Sequence, residues 1–304
     1  MDISALQAFI AVAEQNSFSL AADALHLTQP AVSKRIKLLE EELGSRLFDR
    51  LARRVQLTEA GQALLPGARR ILLEVAESRR RLSNLDGRVA GVLSIGTSHH
   101  IGLHRLPGLL RSYTRRYPEV DLDLHFMDSE AGCAAVEHGD LELALVTLPP
   151  ETLPRLRCTP VWDDPLTLVA APDHPLTTLP APIELVALAR YPAILPAVGT
   201  YTRGVIERAL ATHGLSPKVR LDTNYLETIR SMVSIGLGWS ALPEILVDDS
   251  IRAVEVEGLS LRRTLGFVRH RERTLSNAAQ ALMVAATGKP EALPPDAKSA
   301  KVRG

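Results

Sequence analysis

Two groups of residues in this sequence have the types and spacing to do chemistry. The first lies in "LTQPAVSKRIKLLEEELG", residues 27 to 44, where Gln29, Pro30 and Ser33 precede Lys34, Arg35 and Lys37, and the chain turns acidic only at Glu40. Amide and hydroxyl groups beside ammonium and guanidinium groups are the mixture needed to read base edges while holding phosphates. The second group is dispersed: Thr97, Ser98, His99 and His100, then Thr147, then "GTYTR" from Gly199 to Arg203, then Thr223 and Asn224. Short hydroxyl and imidazole side chains could hold a small anion, though single hydroxyls at such places also serve as helix caps.

The first group needs a helix to present it. At about 100° per residue, Val32, Ile36, Leu39 and Leu43 fall within an arc of roughly 60° and form a buried stripe, with Gln29, Pro30, Ser33, Lys34 and Lys37 on the neighbouring arc. Thr28 is placed as N-cap, and Pro30 is tolerated in the first turn, which needs no amide donor there. A solvated helix face would look similar, so the flanking sequence decides.

Upstream, "ISALQAFIAVAEQNSF" repeats Leu6, Phe9, Ile10 and Ala13 at helical spacing, and Ser19 can cap a short "LAADAL" helix before a turn at His26-Leu27. Helix, short helix, turn, helix is the helix-turn-helix order. Downstream, "RLFDRLARRVQLT" offers two short strand-like runs around an Ala52-Arg53-Arg54 tip, as in a two-stranded wing that touches phosphates or the minor groove. Thr58 then caps a long helical segment in which Leu65, Ala68, Leu72, Val75, Arg79 and Leu82 alternate by three and four. That spacing suits a dimerising helix, kinked at Pro66-Gly67, or an amphipathic helix lying on its own domain.

Bulk properties fit local rather than global nucleic-acid recognition. Lys plus Arg and Asp plus Glu both total 35, so there is no overall positive field, yet seven basic residues (Lys34, Arg35, Lys37, Arg46, Arg50, Arg53 and Arg54) fall between positions 34 and 54. With 304 residues and 46% hydrophobic content the chain is long enough for two or three domains. It has no apolar run long enough for a membrane span and no basic-then-apolar leader, so a cytoplasmic protein without membrane contact is expected.

The run from Leu6 to Gly61, about a fifth of the chain, resembles the N-terminal domain of LysR-type transcriptional regulators almost position for position, most specifically in Ala21-Ala22, "TQPAVSKRI", "LEEELGSRLFDR" and "LTEAG". The resemblance implies a winged helix-turn-helix, a linker helix that pairs two subunits, and a C-terminal effector domain, usually assembled as a tetramer. It implies that Gln29, Pro30 and Ser33 face bases while Lys34, Arg35, Arg53 and Arg54 grip the backbone of double-stranded operator DNA, and Lys37 beside them is a further candidate DNA contact. RNA polymerase is a further partner if the protein activates.

From "GVLSIG" onward, strand-like runs alternate with helical patterns: Val92 to Ile95, Val120 to Phe126 and Leu141 to Val146, then a second set after Trp162. Such alternation predicts a parallel, helix-covered sheet. Two lobes with crossovers near 161 to 165 and 264 to 267 resemble the periplasmic-binding-protein-like effector domain of the family. The expected fold is therefore α/β with an N-terminal all-α winged helix-turn-helix and a C-terminal two-lobed effector domain. Its expected parts are residues 1–58 for DNA, 59–87 for linker helix and hinge, and 88–290 for the effector domain. Within the last, lobe 1 takes 91–161 plus 267–288 and lobe 2 takes 162–266. A Pro-, Lys- and Ala-rich tail over 291–304 is expected to be disordered.

In open α/β sheets ligands gather at the carboxyl ends of strands. That rule selects Ser98, His99, His100, Thr147, Gly199, Thr200 and Thr202, with Thr223 and Asn224 secondary, and the resemblance implies a small anionic or carboxylate effector held by them between the lobes. Adjacent His99 and His100 are poorly placed to share one metal ion and no nearby Cys or carboxylate completes a set, so neither metal nor cofactor is expected. Cys133 and Cys158 resemble the cysteine pair of redox-sensing members, but neither lies in a basic stretch that would activate a thiol. A Ser-His-Asp signature, a phosphate loop and a dinucleotide fingerprint are all missing from the sequence, which disfavours an enzyme built on the same lobes. The missing leader disfavours a periplasmic carrier.

Overall fold

The computed structural model describes residues 1–51 and 54–288. Arg53, the side chain of Arg54 and the expected tail over 291–304 lie outside the described residues. The chain divides into two compact units, Met1–Asp86 and a second that begins at Gly87.

The first unit holds α1 (Ile3–Gln15), α2 (Phe18–Ala24), α3 (Gln29–Leu43), the hairpin β1 (Phe48–Leu51) and β2 (Arg54–Leu57), and α4 (Glu59–Leu85). Leu6 and Phe9 of α1, Ala21 and Ala22 of α2, and Val32, Ile36 and Leu39 of α3 close one core with Leu47 and Phe48. Two local expectations are corrected. Ser17 rather than Ser19 caps α2, accepting from the Leu20 amide at 3.3 Å; the helix starts two residues earlier, at Phe18, whose ring lies 5.8 Å from that of Phe48. Leu43, expected on the buried stripe, is 40% exposed. The chain reverses at Gly44, whose φ of 65° suits glycine, and Leu47 and Phe48 fill the end of the core instead. Thr28 stands at the N-cap of α3 without a side-chain cap bond.

The acidic end of α3 has a structural use. Glu40 accepts from the amides of Leu47 and Phe48 at 2.7 and 3.3 Å, Glu41 faces Lys37 at 3.6 Å, and Glu42 pairs with the N-terminal ammonium. Thr58 joins the wing to α4: its hydroxyl accepts from the Gly61 amide at 3.1 Å and donates to the Arg46 carbonyl at 2.6 Å. Thr58→Ala is expected to lower the unfolding free energy of this unit by about 1–2 kcal/mol in a denaturant titration, the range for losing a helix cap together with a second bond.

The second unit holds β3 (Gly91–Thr97), α5 (His99–His104), α6 (Leu106–Arg116), β4 (Val120–Phe126), α7 (Ser129–His138), β5 (Leu143–Thr147), β6 (Leu156–Ala170), α8 (Pro175–Thr178), β7 (Pro192–Leu195), α9 (Tyr201–Ala211), β8 (Lys218–Asp222), α10 (Leu226–Ser234), β9 (Ser240–Pro243), β10 (Arg252–Ala253), β11 (Leu261–His270) and α11 (Asn277–Thr287). The main sheet runs β10-β6-β11-β5-β3-β4, with β9 also on β6 and a separate β7-β8 pair. Only part of it is parallel. β4, β3 and β5 run parallel, but β11 is antiparallel to both β5 and β6, and β9 and β10 are antiparallel to β6. The expected all-parallel sheet is thus corrected to a mixed one.

The reason is that β6 and β11 each serve both lobes. β11 pairs with β5 from Leu265 to Arg269, while β6 pairs with β9 from Leu166 to Val169, so a strand leaving one lobe must be met by one returning. The β6–β11 register slips between Leu265 and Gly266, and a Cβ at Gly266 would lie 2.4 Å from the Thr159 carbonyl oxygen, an approach that only glycine permits. Separate cores flank this crossing: Leu93, Ile95, Leu145 and Phe267 with α6 and α11 on one side, and Leu168, Leu195, Ile206 and Trp239 on the other.

Candidate functional site

In the first unit, the arc of α3 beside Val32, Ile36 and Leu39 presents Gln29, Pro30, Lys34 and Lys37 to solvent with Ser33 half-buried among them, and Arg35 is half-buried on the other side of the stripe. Lys34 and Arg35 make no ion pair among the described residues. The β1–β2 hairpin follows with Phe48 opposite Leu57 and Leu51 opposite Arg54. A helix face of amides, a hydroxyl and uncommitted cations, next to a hairpin, suits a nucleic-acid groove and its flanking phosphates.

In the second unit a cleft of about 200 Å³ lies where the lobes meet, large enough for a small metabolite and too small for a macromolecule. The carboxyl ends of β3 and β5 bring Ser98, His99, His100 and Thr147 to it from one lobe, and the segments around α9 and α10 bring Thr200, Thr202 and Asn224 from the other. Gly199 and Thr223 do not line it. Gly199 takes a φ of 90° in the loop before α9, and the Thr223 hydroxyl accepts from the Tyr225 amide at 3.4 Å.

Several of these side chains are already committed. Thr200 accepts from the Arg203 amide at 3.2 Å and donates to the Ala197 carbonyl at 2.9 Å, so it is a helix cap. Asn224 accepts from the Ala197 amide at 3.0 Å and donates to Asp128 of the facing lobe at 2.7 Å. Glu130, also from the facing lobe, accepts from the Tyr201 amide, so the positive end of α9 is taken by a carboxylate of the protein's own. Arg203 turns away, donating to the Pro196 carbonyl and to Glu207. The Ser98 hydroxyl, by contrast, stands at the N-cap of α5 without making a cap bond.

The sequence reading missed the residue with most to offer an anion. Arg263 lines the cleft and is buried; its Nε donates to Asp164 at 2.8 Å, its Nη1 donates to Thr202 Oγ1 at 2.8 Å, and its Nη2 has no hydrogen-bond partner among the described residues. Arg105 donates to the other oxygen of Asp164 at 3.3 Å, so two guanidiniums share one buried carboxylate and leave a positive balance. The signal was present as complementary pairs: Asp163-Asp164 on β6 faces Arg262-Arg263 on β11, with Arg263 registered on Asp164.

Beside the cleft, Glu227 of α10 lies 3.5 Å from His100 Nδ1 and 3.0 Å from His104 Nε2. The imidazoles of His100 and His104 hold its carboxyl down at about 2, and burial holds His100 below the usual imidazole value. His99 stacks edge-on to Phe126 at 5.6 Å and to Tyr225 at 5.1 Å, so aromatic rings from both lobes line the cleft. Burial pushes the Cys133 thiol up to about 11 and raises that of exposed Cys158, the opposite of what a reactive thiol needs. No helix among the described residues is long and apolar enough to cross a membrane.

Residues 3–62 match the model of the bacterial regulatory helix-turn-helix protein, lysR family, and residues 86–288 match that of the LysR substrate binding domain. The chain is 34% identical over 284 residues to a probable RuBisCO transcriptional regulator of Cyanidioschyzon merolae, covering 90% of this chain and 93% of that one. It is 65% identical over 107 residues to an uncharacterized HTH-type transcriptional regulator in the ibpB-leuC intergenic region of Azotobacter vinelandii, covering 35% of this chain and 74% of that one. Among solved structures it resembles a full-length OxyR variant from Pseudomonas aeruginosa at a TM-score of 0.69 and 24% identity, over 94% of each chain.

Proposed function

The chain belongs to the LysR family of transcriptional regulators, and from that premise we propose that it binds operator DNA through α3 and the wing under the control of a small anionic effector held between the lobes of its second unit. It is a regulator rather than an enzyme. The observation that carries the effector reading is Arg263, a buried guanidinium with one nitrogen that has no hydrogen-bond partner among the described residues, in a cleft of metabolite size. Glu130 and Asp128 already occupy the lobe-2 amides they face, so the effector's acidic group belongs on the side of Arg263, Thr202 and Ser98. In this reading His99, His100, Thr147, Thr200 and Asn224 shape the pocket, and Gly199 and Thr223 support it from outside.

A thermal-shift screen of carboxylates and phosphate esters on the full chain tests it, because a ligand that binds only the folded state stabilises in proportion to occupancy. The relative named as a probable RuBisCO transcriptional regulator makes carbon-fixation genes a candidate target and phosphorylated metabolites a first set of probes. If no anion raises the melting temperature, the effector reading fails while the family assignment stands.

For DNA, Gln29→Ala and Ser33→Ala are each expected to lower the preference for operator over random duplex by about 1–3 kcal/mol, as loss of a base-edge contact does. Arg35→Ala is expected instead to weaken both and to reduce the salt slope by about one unit. Lys34, Lys37, Arg53 and Arg54 complete the phosphate contacts and Pro30 packs at the groove in this reading. Binding titrations at several salt concentrations on a selected operator fragment measure both effects, and an unchanged preference in the first two variants would remove α3 as the reading helix. The protein acts in the cytoplasm as a dimer or tetramer, with RNA polymerase as a partner if it activates.

A further inference from the structure

Four residues apart on α5, His100 and His104 project from the same face of the helix. The carboxylate that meets them comes from the other lobe, Glu227 in the first turn of α10. His104 Nε2 lies 3.0 Å and His100 Nδ1 3.5 Å from Glu227 Oε1, and one ligand atom from each of the three residues can be chosen so that all lie within 4.8 Å of one another. Around a tetrahedral ion with bonds of about 2.0–2.1 Å, neighbouring ligand atoms stand roughly 3.3 Å apart, which those two distances bracket. His100 is 4% exposed, and neither of its ring nitrogens has a hydrogen-bond partner among the described residues. A buried imidazole whose Nε2 is unmet and whose Nδ1 reaches a carboxylate only at 3.5 Å is a costly arrangement that a bound ion would relieve.

We infer that His100, His104 and Glu227 form a site for a divalent transition metal of the zinc class, joining the first lobe to the second. Two imidazoles with one carboxylate favour zinc, cobalt or nickel over calcium or magnesium, which prefer oxygen-only sets. The nearby guanidiniums of Arg105 and Arg263 are both bound to Asp164, so Glu227 remains free to neutralise the ion. Three protein ligands leave one position open for water. A metal here fixes α5 to α10 and so restricts how far the lobes can part, whether or not an effector occupies the neighbouring cleft.

The test is calorimetric titration of zinc chloride into the EDTA-dialysed full chain, with cobalt(II) absorption as a second readout of four-coordinate geometry. One zinc per chain at micromolar affinity or tighter is expected. His104→Ala and Glu227→Gln should each weaken it at least tenfold and abolish the cobalt spectrum, whereas His125→Ala, which removes the surface pair with Asp123, and Cys158→Ser should leave it unchanged. Absence of stoichiometric zinc, retention of full affinity in both His104→Ala and Glu227→Gln, or loss of affinity in either control variant would overturn the site. Circular dichroism spectra of the metal-free variants that match the parent keep a loss of binding from being a loss of fold.

Discussion

Arg263→Ala is expected to destabilise the second unit by about 3–5 kcal/mol, the range for removing one partner of a buried ion pair. Asp164 is only 1% exposed and would keep a single, longer bond from Arg105 at 3.3 Å, while Thr202 would lose the guanidinium that donates to it at 2.8 Å. A denaturant titration of the full chain reads this directly, with the helix-turn-helix unit as an internal reference. The companion variant Arg263→Lys separates stability from recognition. A lysine keeps the charge near Asp164 but has no fork to reach Asp164, Thr202 and a ligand at once. It should therefore retain most of the stability and the effector-free DNA affinity, yet lose about a hundredfold in affinity for whichever anion shifts the parent, equivalent to about 2.7 kcal/mol. If Arg263→Lys bound that anion as tightly as the parent, the anionic group would have to sit elsewhere in the cleft.

What the sequence could and could not disclose follows from how far apart the interacting residues lie. The polar and basic face of α3 proposed to read DNA is written within one helix, so Gln29, Ser33, Lys34 and Lys37 could be placed by counting at 3.6 residues per turn. The strand-end rule likewise reached Ser98, His100, Thr147 and Thr202, because each sits where a local pattern ends. Arg263 was out of reach for a different reason. Its place depends on pairing with Asp164, 99 residues earlier, across a strand shared by both lobes. Glu227 and His104 were missed similarly, being 123 residues apart in the chain and 3.0 Å apart in space. In the sequence the metal question rested on the adjacent pair His99 and His100 alone, whereas the cluster inferred above spans His100 to His104 along α5 and takes its carboxylate from the other lobe.

The mixed sheet was missed on the same grounds. "LTLVAAP" looks like a new strand after Trp162, but β6 runs unbroken from Leu156 to Ala170 through Pro160 and Pro165. Two prolines normally argue against a strand interior. Here Pro160 faces Gly266 at the register slip, and Asp163 and Asp164 beyond it pair with the arginines of β11, so side-chain pairing supports the strand where its prolines remove amide donors. The acidic end of α3 is a milder case: Glu40 looks like surface charge in sequence and turns out to hold the start of the wing.

The long helix α4 divides the two alternatives its spacing left open. Leu65, Ala68 and Leu72 pack on the core of their own unit, whereas Leu82 is 67% and Leu85 80% exposed. Between them Glu77 is buried under Arg80 and Arg81, which donate to it at 3.2 and 3.0 Å. The helix thus changes use along its length, and the bare apolar end is where a second copy would gain by covering it. Leu82→Asp is expected to raise the dimer dissociation constant by more than a hundredfold, about 3 kcal/mol for a carboxylate forced into a desolvated seam, and to weaken a two-half-site operator along with it. Leu72→Asp should behave differently, lowering the melting temperature of the helix-turn-helix unit itself, because that side chain touches its own core. Sedimentation equilibrium beside thermal denaturation distinguishes the two. A Leu82→Asp chain that stayed dimeric at parental affinity would move the self-association surface off the end of α4, and would make Leu82 and Leu85 an exposed pair with no role in pairing subunits.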